Sequence, residues 1–112
     1  IGLGKDGVTY NINADTTASR IAVALRAYKI IFMTDVNGVL KKGNLCAQLT
    51  SSEAEKMIEE KVITGGMSPK VDSCLYCVKK GVESAQIING TEPHSVIAEL
   101  FTDKGIGTKI VL

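Results

Sequence analysis

Two asparagines and an aspartate stand directly ahead of an amphipathic helix pattern, in the stretch TYNINADTTASRIAVAL. Asn13 is a good helix N-cap, and Asp15 in the first turn would face the positive end of the helix dipole. The same side chains, with Asn11, could instead meet an anionic ligand, because a helix N-terminus presents free N–H groups and a carboxylate organises nearby cations. The local pattern leaves both interpretations open, helix capping and ligand binding.

A second chemically unusual position is Lys70, in the first turn of a predicted helix that follows Gly65 and Gly66. The helix dipole opposes a lysine there by up to about 1 kcal/mol. Glycine-loop amides, a helix N-terminus and an ammonium group would together suit a phosphate. The alternative is a solvated lysine that tolerates its position. The stretch is not a P-loop, since no G-x-x-x-x-G-K-[ST] pattern occurs.

The end of a predicted strand provides a third candidate position. Asp35 follows the apolar run KIIFMT, and ligands of open α/β sheets bind at the carboxyl ends of strands. The following Asn37-Gly38 pair is equally explained as a tight turn. Near the end of the chain, Glu99, Asp103 and Lys104 are consistent with ordinary helix-end and loop polarity.

Composition narrows the function classes. The 112 residues predict one domain with its own core. Thirteen basic and twelve acidic residues are intermixed, with a net charge of +1, so we expect neither a nucleic-acid nor a membrane partner. No apolar run approaches the ~20 residues of a membrane span, and no signal-peptide pattern opens the chain. We therefore expect a cytoplasmic protein.

The three cysteines are too few for a disulfide framework, which agrees with a reducing compartment. Cys74 and Cys77 form a C-x-x-C, but no second cysteine pair accompanies it and the one histidine is distant. A structural zinc site usually has four protein ligands. Cys74 shares helical spacing with Val71, Leu75 and Val78, so the pattern favours a core position, and we expect no metal site.

Helical and strand patterns alternate along the chain. Helices are predicted near residues 14–26, from the capping box Thr50-x-x-Glu53, after Gly66, and in EPHSVIAELF. Strands are predicted in VTYNI, at residues 29–35 as a strand buried on both faces, in SAQIING and in GIGTKIVL, with a small hairpin in VNGVLKKGNLC. This alternation predicts an α/β fold with a mainly parallel sheet.

Four stretches, taken in order, carry a family resemblance: YNINAD, TDVNGVL, GGMSPKV and PHSVIAELFTDKGIGT. Together they resemble the C-terminal, nucleotide-binding half of the N-acetylglutamate kinases, in the amino-acid kinase family, over essentially all 112 residues. The resemblance implies a three-layer αβα sandwich and ATP-dependent phosphorylation of the side-chain carboxylate of N-acetyl-L-glutamate, a step of arginine biosynthesis. ATP is the implied phosphoryl donor, with Mg²⁺.

By position in these stretches, the resemblance implies that Asn11 and Asn13 face the acetylglutamate. Asp15 would organise the catalytic lysines, and Lys70 would stabilise charge on the transferring phosphoryl group. Phosphoryl transfer depends mainly on positioning and on cations placed against developing charge, so these residue types suit that role.

The resemblance also implies a set of residues that border the adenine nucleotide. They are Asp35, Val36, Asn37, Gly38, Val39, Leu40, Ile63, Thr64, Gly66 and Met67. The arginine-inhibited members of the family share the C-terminal stretch, which makes His94, Glu99 and Gly105 candidates for an arginine site.

On this resemblance residues 1–112 are the nucleotide-binding domain, and the amino-terminal substrate domain is absent from the chain. A homo-oligomer is implied for the full-length enzyme. Alternatives are a sibling carboxylate kinase, such as one acting on a carrier-linked aminoadipate, and a non-catalytic nucleotide-binding or arginine-binding module. One departure from the family pattern is Arg26, near a position where a glycine usually ends the helix.

Overall fold

The computed structural model describes residues 1–103 and 105–112, so Lys104 lies outside the described residues. The helices are α1 (Ala14–Ala24), α2 (Ser51–Glu59), α3 (Met67–Lys79) and α4 (Ser95–Phe101). The strands are β1 (Gly2–Leu3), β2 (Thr9–Tyr10), β3 (Lys29–Thr34), β4 (Leu40–Lys41), β5 (Asn44–Leu45), β6 (Gln48–Thr50), β7 (Ser84–Asn89) and β8 (Thr108–Val111).

Four strands form the main sheet, in the order β3-β7-β8-β6. β3 and β7 run parallel from the pair Lys29 and Ser84 to the pair Thr34 and Asn89. β6 and β8 are also parallel, whereas β7 and β8 are antiparallel. Two of the three pairings are therefore parallel, which confirms the predicted α/β fold with a mainly parallel sheet.

Helices cover both faces of this sheet. Ile30 and Phe32 of β3 point into the same buried core as residues of α1, α2 and α3. Lys29 alternates with them along the strand and therefore points to the opposite face. There its ammonium group pairs with Glu99 of α4, so α4 lies on the far side of the sheet. The predicted αβα layering is confirmed.

The local signals that predicted the helices are present as hydrogen bonds. Thr50 and Glu53 close the capping box of α2, and Asn13 caps α1 with its side chain. Gly81, just after α3, has a φ of +102°, as expected for a glycine that ends a helix. Arg26 adopts a φ of +51° after α1, which explains why a glycine is usual near this place.

The prediction that residues 29–35 form a strand buried on both faces was wrong. β3 ends at Thr34 and lies at an edge of the main sheet. Only Ile30 and Phe32 are buried, while Met33 is 52 % exposed. The apolar run misled because an edge strand with exposed apolar side chains can have the same composition as a central strand.

Smaller elements also differ from the sequence prediction. The strand expected in VTYNI is two residues long and pairs with β1 in a separate hairpin, outside the main sheet. α1 ends at Ala24 rather than near Arg26. The strand β6 was not predicted, because its three residues lead directly into the capping box of α2. The predicted hairpin is confirmed as β4 and β5.

Candidate functional site

The N-termini of α1 and α3 lie at the same end of the molecule. Asp15 contacts Lys70, and further along both helices Arg20 contacts Tyr76. Because these contacts follow the same order in both helices, the helices run parallel. Val36, which follows the end of β3, lines one cavity with Met67, the first residue of α3. This end is therefore also the carboxyl edge of the parallel pair β3 and β7, where ligands of α/β sheets bind.

An ion pair joins the first turns of the two helices. Lys70 Nζ donates to Asp15 Oδ2 at 3.0 Å, and the two side chains are 21 % and 28 % exposed. The carboxylate offsets the unfavourable position of a lysine at a helix N-terminus, and partial burial fixes the ammonium group in place. The structure thus brings together the two residues predicted to be catalytic.

The two asparagines have different surroundings. Asn13 Oδ1 accepts a hydrogen bond from the Thr16 N–H at 3.0 Å, so its predicted capping role is confirmed. Asn11 is exposed, two residues before the cap. Its side chain makes no hydrogen bond to the described part of the chain, which leaves both its donors and its acceptor open to a ligand.

An apolar cavity of about 220 Å³ reaches Met67, the first residue of α3, three residues before Lys70. Seven of the ten residues predicted to border a nucleotide line it, and they are Val36, Gly38, Val39, Leu40, Ile63, Thr64 and Met67. Met67 stands one turn before Lys70 on α3, so the cavity and the ammonium group occupy neighbouring places on one helix face. The volume is below the ~300–1,000 Å³ of complete ligand pockets.

The other three predicted nucleotide residues lie beside this cavity. Asp35 is exposed and follows β3 directly. Asn37 lines a different cavity of about 400 Å³, with Asn89 and Gly107. Gly66 is the N-cap residue of α3, and no side chain caps that helix. Pro69 has no N–H, and the Ser68 N–H donates to the Gly65 carbonyl at 3.3 Å, which leaves the Met67 N–H as the one first-turn donor for an anion among the described residues.

Sequence reasoning missed one residue of the cavity wall, Val62. It follows Lys61, whose φ is +56°, in the turn after α2. The apolar pair Val62-Ile63 resembles any buried dipeptide in sequence, so no signal distinguished the exposed Val62 from its buried neighbour.

The three candidates for an arginine site are only partly brought together. Glu99 and Gly105 line a polar cavity of about 400 Å³. Glu99 is buried, and its carboxylate accepts from Lys29 Nζ at 2.7 Å and from the Ile106 N–H at 3.1 Å. His94 precedes α4 with a φ of +59°, and it is not among the described residues that line this cavity.

The C-x-x-C cysteines are core residues, as predicted. Cys74 and Cys77 are buried with Val71, Leu75 and Val78 on the inner face of α3. Burial raises the pKa of both thiols, because a thiolate would lose its hydration there. The described residues contain no group of three or more His, Cys, Asp or Glu side chains that could hold a metal ion.

We predict that the thiols differ in reactivity. Cys46 is only partly buried and should be alkylated by N-ethylmaleimide first. Cys74 and Cys77 should remain unmodified in the native protein from pH 7 to pH 9, because only thiolates react and the raised pKa keeps these thiols protonated as the pH rises. Mass spectrometry of alkylated peptides measures this, with a urea-unfolded sample as the control. Native modification of Cys74 at the rate of Cys46 would contradict the assignment.

No helix of the described residues combines the length and apolar character required to cross a membrane.

Comparisons with known proteins agree with this architecture. The sequence profile of the amino acid kinase family matches residues 1–89. Over 109 residues the chain is 56 % identical to an acetylglutamate kinase of Bartonella tribocorum, an alignment that covers 96 % of the chain and 36 % of that protein. Over 115 residues it is 48 % identical to an acetylglutamate kinase of Desulforamulus reducens, covering 99 % of the chain and 40 % of that protein. The chain thus spans somewhat more than a third of the length of these relatives.

A solved structure with the same fold is the N-acetylglutamate synthase of Neisseria gonorrhoeae, complexed with coenzyme A and L-arginine. It superposes with a TM-score of 0.88 at 31 % sequence identity, over 96 % of this chain and 25 % of that chain.

Proposed function

The chain belongs to the amino acid kinase family, and from this premise we propose that it supplies the ATP-binding side of a kinase acting on the side-chain carboxylate of N-acetyl-L-glutamate. The observation that carries the proposal is the Asp15–Lys70 ion pair, held across two helix N-termini beside an apolar cavity. The identity to acetylglutamate kinases over nearly the whole chain supports this substrate.

In this proposal the nucleotide lies along the N-terminal end of α3. Its adenine ring occupies the cavity between residues 36–40 and 62–64, and its phosphates extend toward Lys70, one helical turn away from Met67. The ammonium group and the positive end of the α3 dipole favour a phosphate anion. Asp15 orients Lys70, so the cation is already in place when charge develops on the phosphoryl oxygens.

The acceptor carboxylate would approach from the side of α1. Asn11 is exposed with a free amide group, and a carboxamide can donate to a carboxylate or accept from an acetamido N–H. Asn13 combines capping of α1 with a position close to the same surface. In-line transfer requires little covalent chemistry from the protein, so placement of the acceptor against the phosphoryl group is the principal task of these side chains.

Mg²⁺ would accompany the ATP phosphates in this site. Magnesium in phosphoryl-transfer sites keeps several waters and is held by one or two carboxylates together with phosphate oxygens. The exposed carboxylate of Asp35, at the carboxyl end of β3, fits such partial coordination.

We also place the protein in the cytoplasm, where the reaction would draw on ATP.

Residues 1–112 would form the nucleotide-binding domain of a longer protein. β3 is an edge strand, and exposed apolar side chains flank it, including Leu25, Tyr28 and Met33. An unpaired edge beside apolar surface is a place where another strand and helix can pack. The substrate-binding domain, or another copy in a homo-oligomer, would cover this surface.

L-arginine is a second proposed ligand, for the cavity that contains Glu99. Gln86 Oε1 in the wall of this cavity is buried and has no hydrogen-bond partner among the described residues. A carboxylate and an amide oxygen suit a guanidinium group. The structurally similar synthase in complex with L-arginine supports this ligand class.

The proposed function predicts that Lys70→Ala weakens ADP binding by about tenfold. The variant loses a charge-assisted hydrogen bond to phosphate and leaves the Asp15 carboxylate unpaired beside the anion. Isothermal titration calorimetry with the 112-residue chain measures the affinity. Lys79→Ala is the matched control, since Lys79 lies in the last turn of the same helix and pairs with Glu55 at the surface. Equal ADP affinity in wild type and Lys70→Ala would leave Lys70 only a structural role, as the partner of Asp15 between α1 and α3.

A further inference from the structure

Residues 36–40 form one wall of the proposed nucleotide cavity. This wall lies in the connection from β3 into β4, and contacts with the distant strand β8 hold it in place. Between β3 and β4 the chain passes through Gly38, with a φ of +139°, and Val39, whose side chain is 1 % exposed in the main core. The Val39 N–H donates to Thr108 Oγ1 at 2.9 Å. This hydroxyl belongs to β8, 69 residues further along the chain.

The wall also lies directly against Thr108. A Cβ atom added at Gly38 would stand 2.6 Å from Thr108 Oγ1 and 3.1 Å from the Thr108 backbone nitrogen. Only a glycine permits this approach, both because of the distance and because L-residues with side chains rarely adopt that φ. The contact and the hydrogen bond therefore fix two consecutive residues of the wall on the same side chain.

Thr108 is well suited to act as a fixed support. It is fully buried and pairs with Ile87 at the start of β8, which lies between β7 and β6 in the main sheet. A second hydrogen bond, from Asn89 Nδ2 to Asn37 Oδ1 at 2.9 Å, ties the preceding wall residue to the end of β7. Thr108 itself is not among the described residues that line the cavity.

We infer that Thr108 is a positioning residue of the nucleotide site, one that sets nucleotide affinity by holding residues 36–40 against the sheet. The inference rests on the proposed function for its ligand. Replacing the hydroxyl by a methyl group leaves the buried Val39 N–H without an acceptor, and an unsatisfied buried donor is costly enough to displace the backbone that carries it. The wall then has to reorder whenever nucleotide binds.

The test compares Thr108→Val, which keeps the side-chain shape, with Thr108→Ser, which keeps the hydroxyl. Ile110→Val is the control, because Ile110 is a buried residue of the same strand whose truncation lowers stability without touching the wall. For each variant of the 112-residue chain, hydrogen exchange of the Val39 amide is measured by NMR and ADP affinity by calorimetry. We expect Thr108→Val to accelerate Val39 exchange and to weaken ADP binding about tenfold. Thr108→Ser should stay within threefold of wild type in both measurements, and Ile110→Val should keep wild-type ADP affinity.

Wild-type ADP affinity in Thr108→Val would overturn the inference while leaving the proposed function intact. If the wild-type chain itself binds no ADP, the proposed function fails, and Val39 exchange alone then decides whether Thr108 holds the wall. If Thr108→Val does not fold, Thr108→Ala replaces it, since alanine also removes the hydroxyl and Thr108 is not among the described residues that line the cavity. Weaker ADP binding by Thr108→Ala than by Thr108→Ser supports the inference, and wild-type affinity in Thr108→Ala contradicts it.

Discussion

Replacement of Lys70 by methionine is expected to lower the rate of acetylglutamate phosphorylation by a factor of about 10²–10³, the usual effect of removing one group that stabilises transition-state charge. The physical reason is the geometry at the two helix N-termini. Lys70 Nζ lies 3.0 Å from Asp15 Oδ2, and the Lys70 side chain is only 21 % exposed. Water in place of the ammonium group would therefore stabilise the charge on the phosphoryl group less well. Methionine keeps the length and helix propensity of the side chain and removes the charge.

This experiment requires a protein that carries both sides of the active site. A chimera provides one, in which the chain replaces the 109-residue segment that it matches in the Bartonella tribocorum acetylglutamate kinase. We expect kcat to fall more than KM rises, because the charge on the phosphoryl group is greatest in the transition state. Lys79→Met in the same chimera should be neutral, and Asp15→Asn should reduce kcat by misplacing Lys70. A Lys70→Met chimera within threefold of the parent would exclude a catalytic role for this lysine.

Local sequence signals identified Lys70 as a candidate site residue but did not identify its contact with Asp15. A lysine at a helix N-terminus conflicts with the dipole, and that conflict, the preceding Gly65-Gly66 pair and the family resemblance marked the residue as a candidate. The carboxylate that resolves the conflict lies 55 residues earlier in the chain. No periodicity or cap signal connects the two residues. The family resemblance linked Asp15 to the catalytic lysines, and the packing of α1 against α3 shows the contact itself.

The sequence predicted the burial of β7 correctly but not that of β3. β7, central and buried on both faces, was correctly predicted from its apolar run. β3 has a similar run but is an edge strand of the main sheet, and its apolar composition did not indicate that position. The direction of β8, antiparallel to β7 and parallel to β6, also has no sequence signature, since side chains alternate between the two faces of a strand in the same way in either direction.

Some residues of the candidate site could be identified from the sequence, and others could not. Local signals identified the cap at Asn13, and the family resemblance supplied most of the cavity wall. Neither identified Val62 or the support that Thr108 gives to Val39, because a buried threonine in a strand has the same sequence appearance whether or not it holds a loop. Such supporting contacts depend on distances between elements, and these emerge only from the folded chain.

We also expect the kinase activity of the isolated chain to be far lower than that of the chain joined to the rest of an acetylglutamate kinase. The isolated chain should bind ADP weakly and show no turnover above background with ATP and N-acetyl-L-glutamate. Asp15 and Lys70 approach the phosphoryl group from one side, whereas in-line transfer requires donors or cations at both the attacking and the leaving oxygen. Each missing donor costs about 10²–10³ in rate, so the loss of several together removes measurable activity.

The most direct measurement of the central claim is a coupled ADP-release assay on the isolated chain and on the chimera, at saturating ATP and N-acetyl-L-glutamate. We expect background rates for the chain and turnover near 1–100 per second for the chimera, about the range of ordinary kinases. The control chimera carries Lys70→Met. A folded chimera that binds acetylglutamate but releases no ADP would contradict the claim that this chain is the ATP-binding side of the kinase, and kinase-like turnover by the isolated chain would contradict the claim that it is only one side.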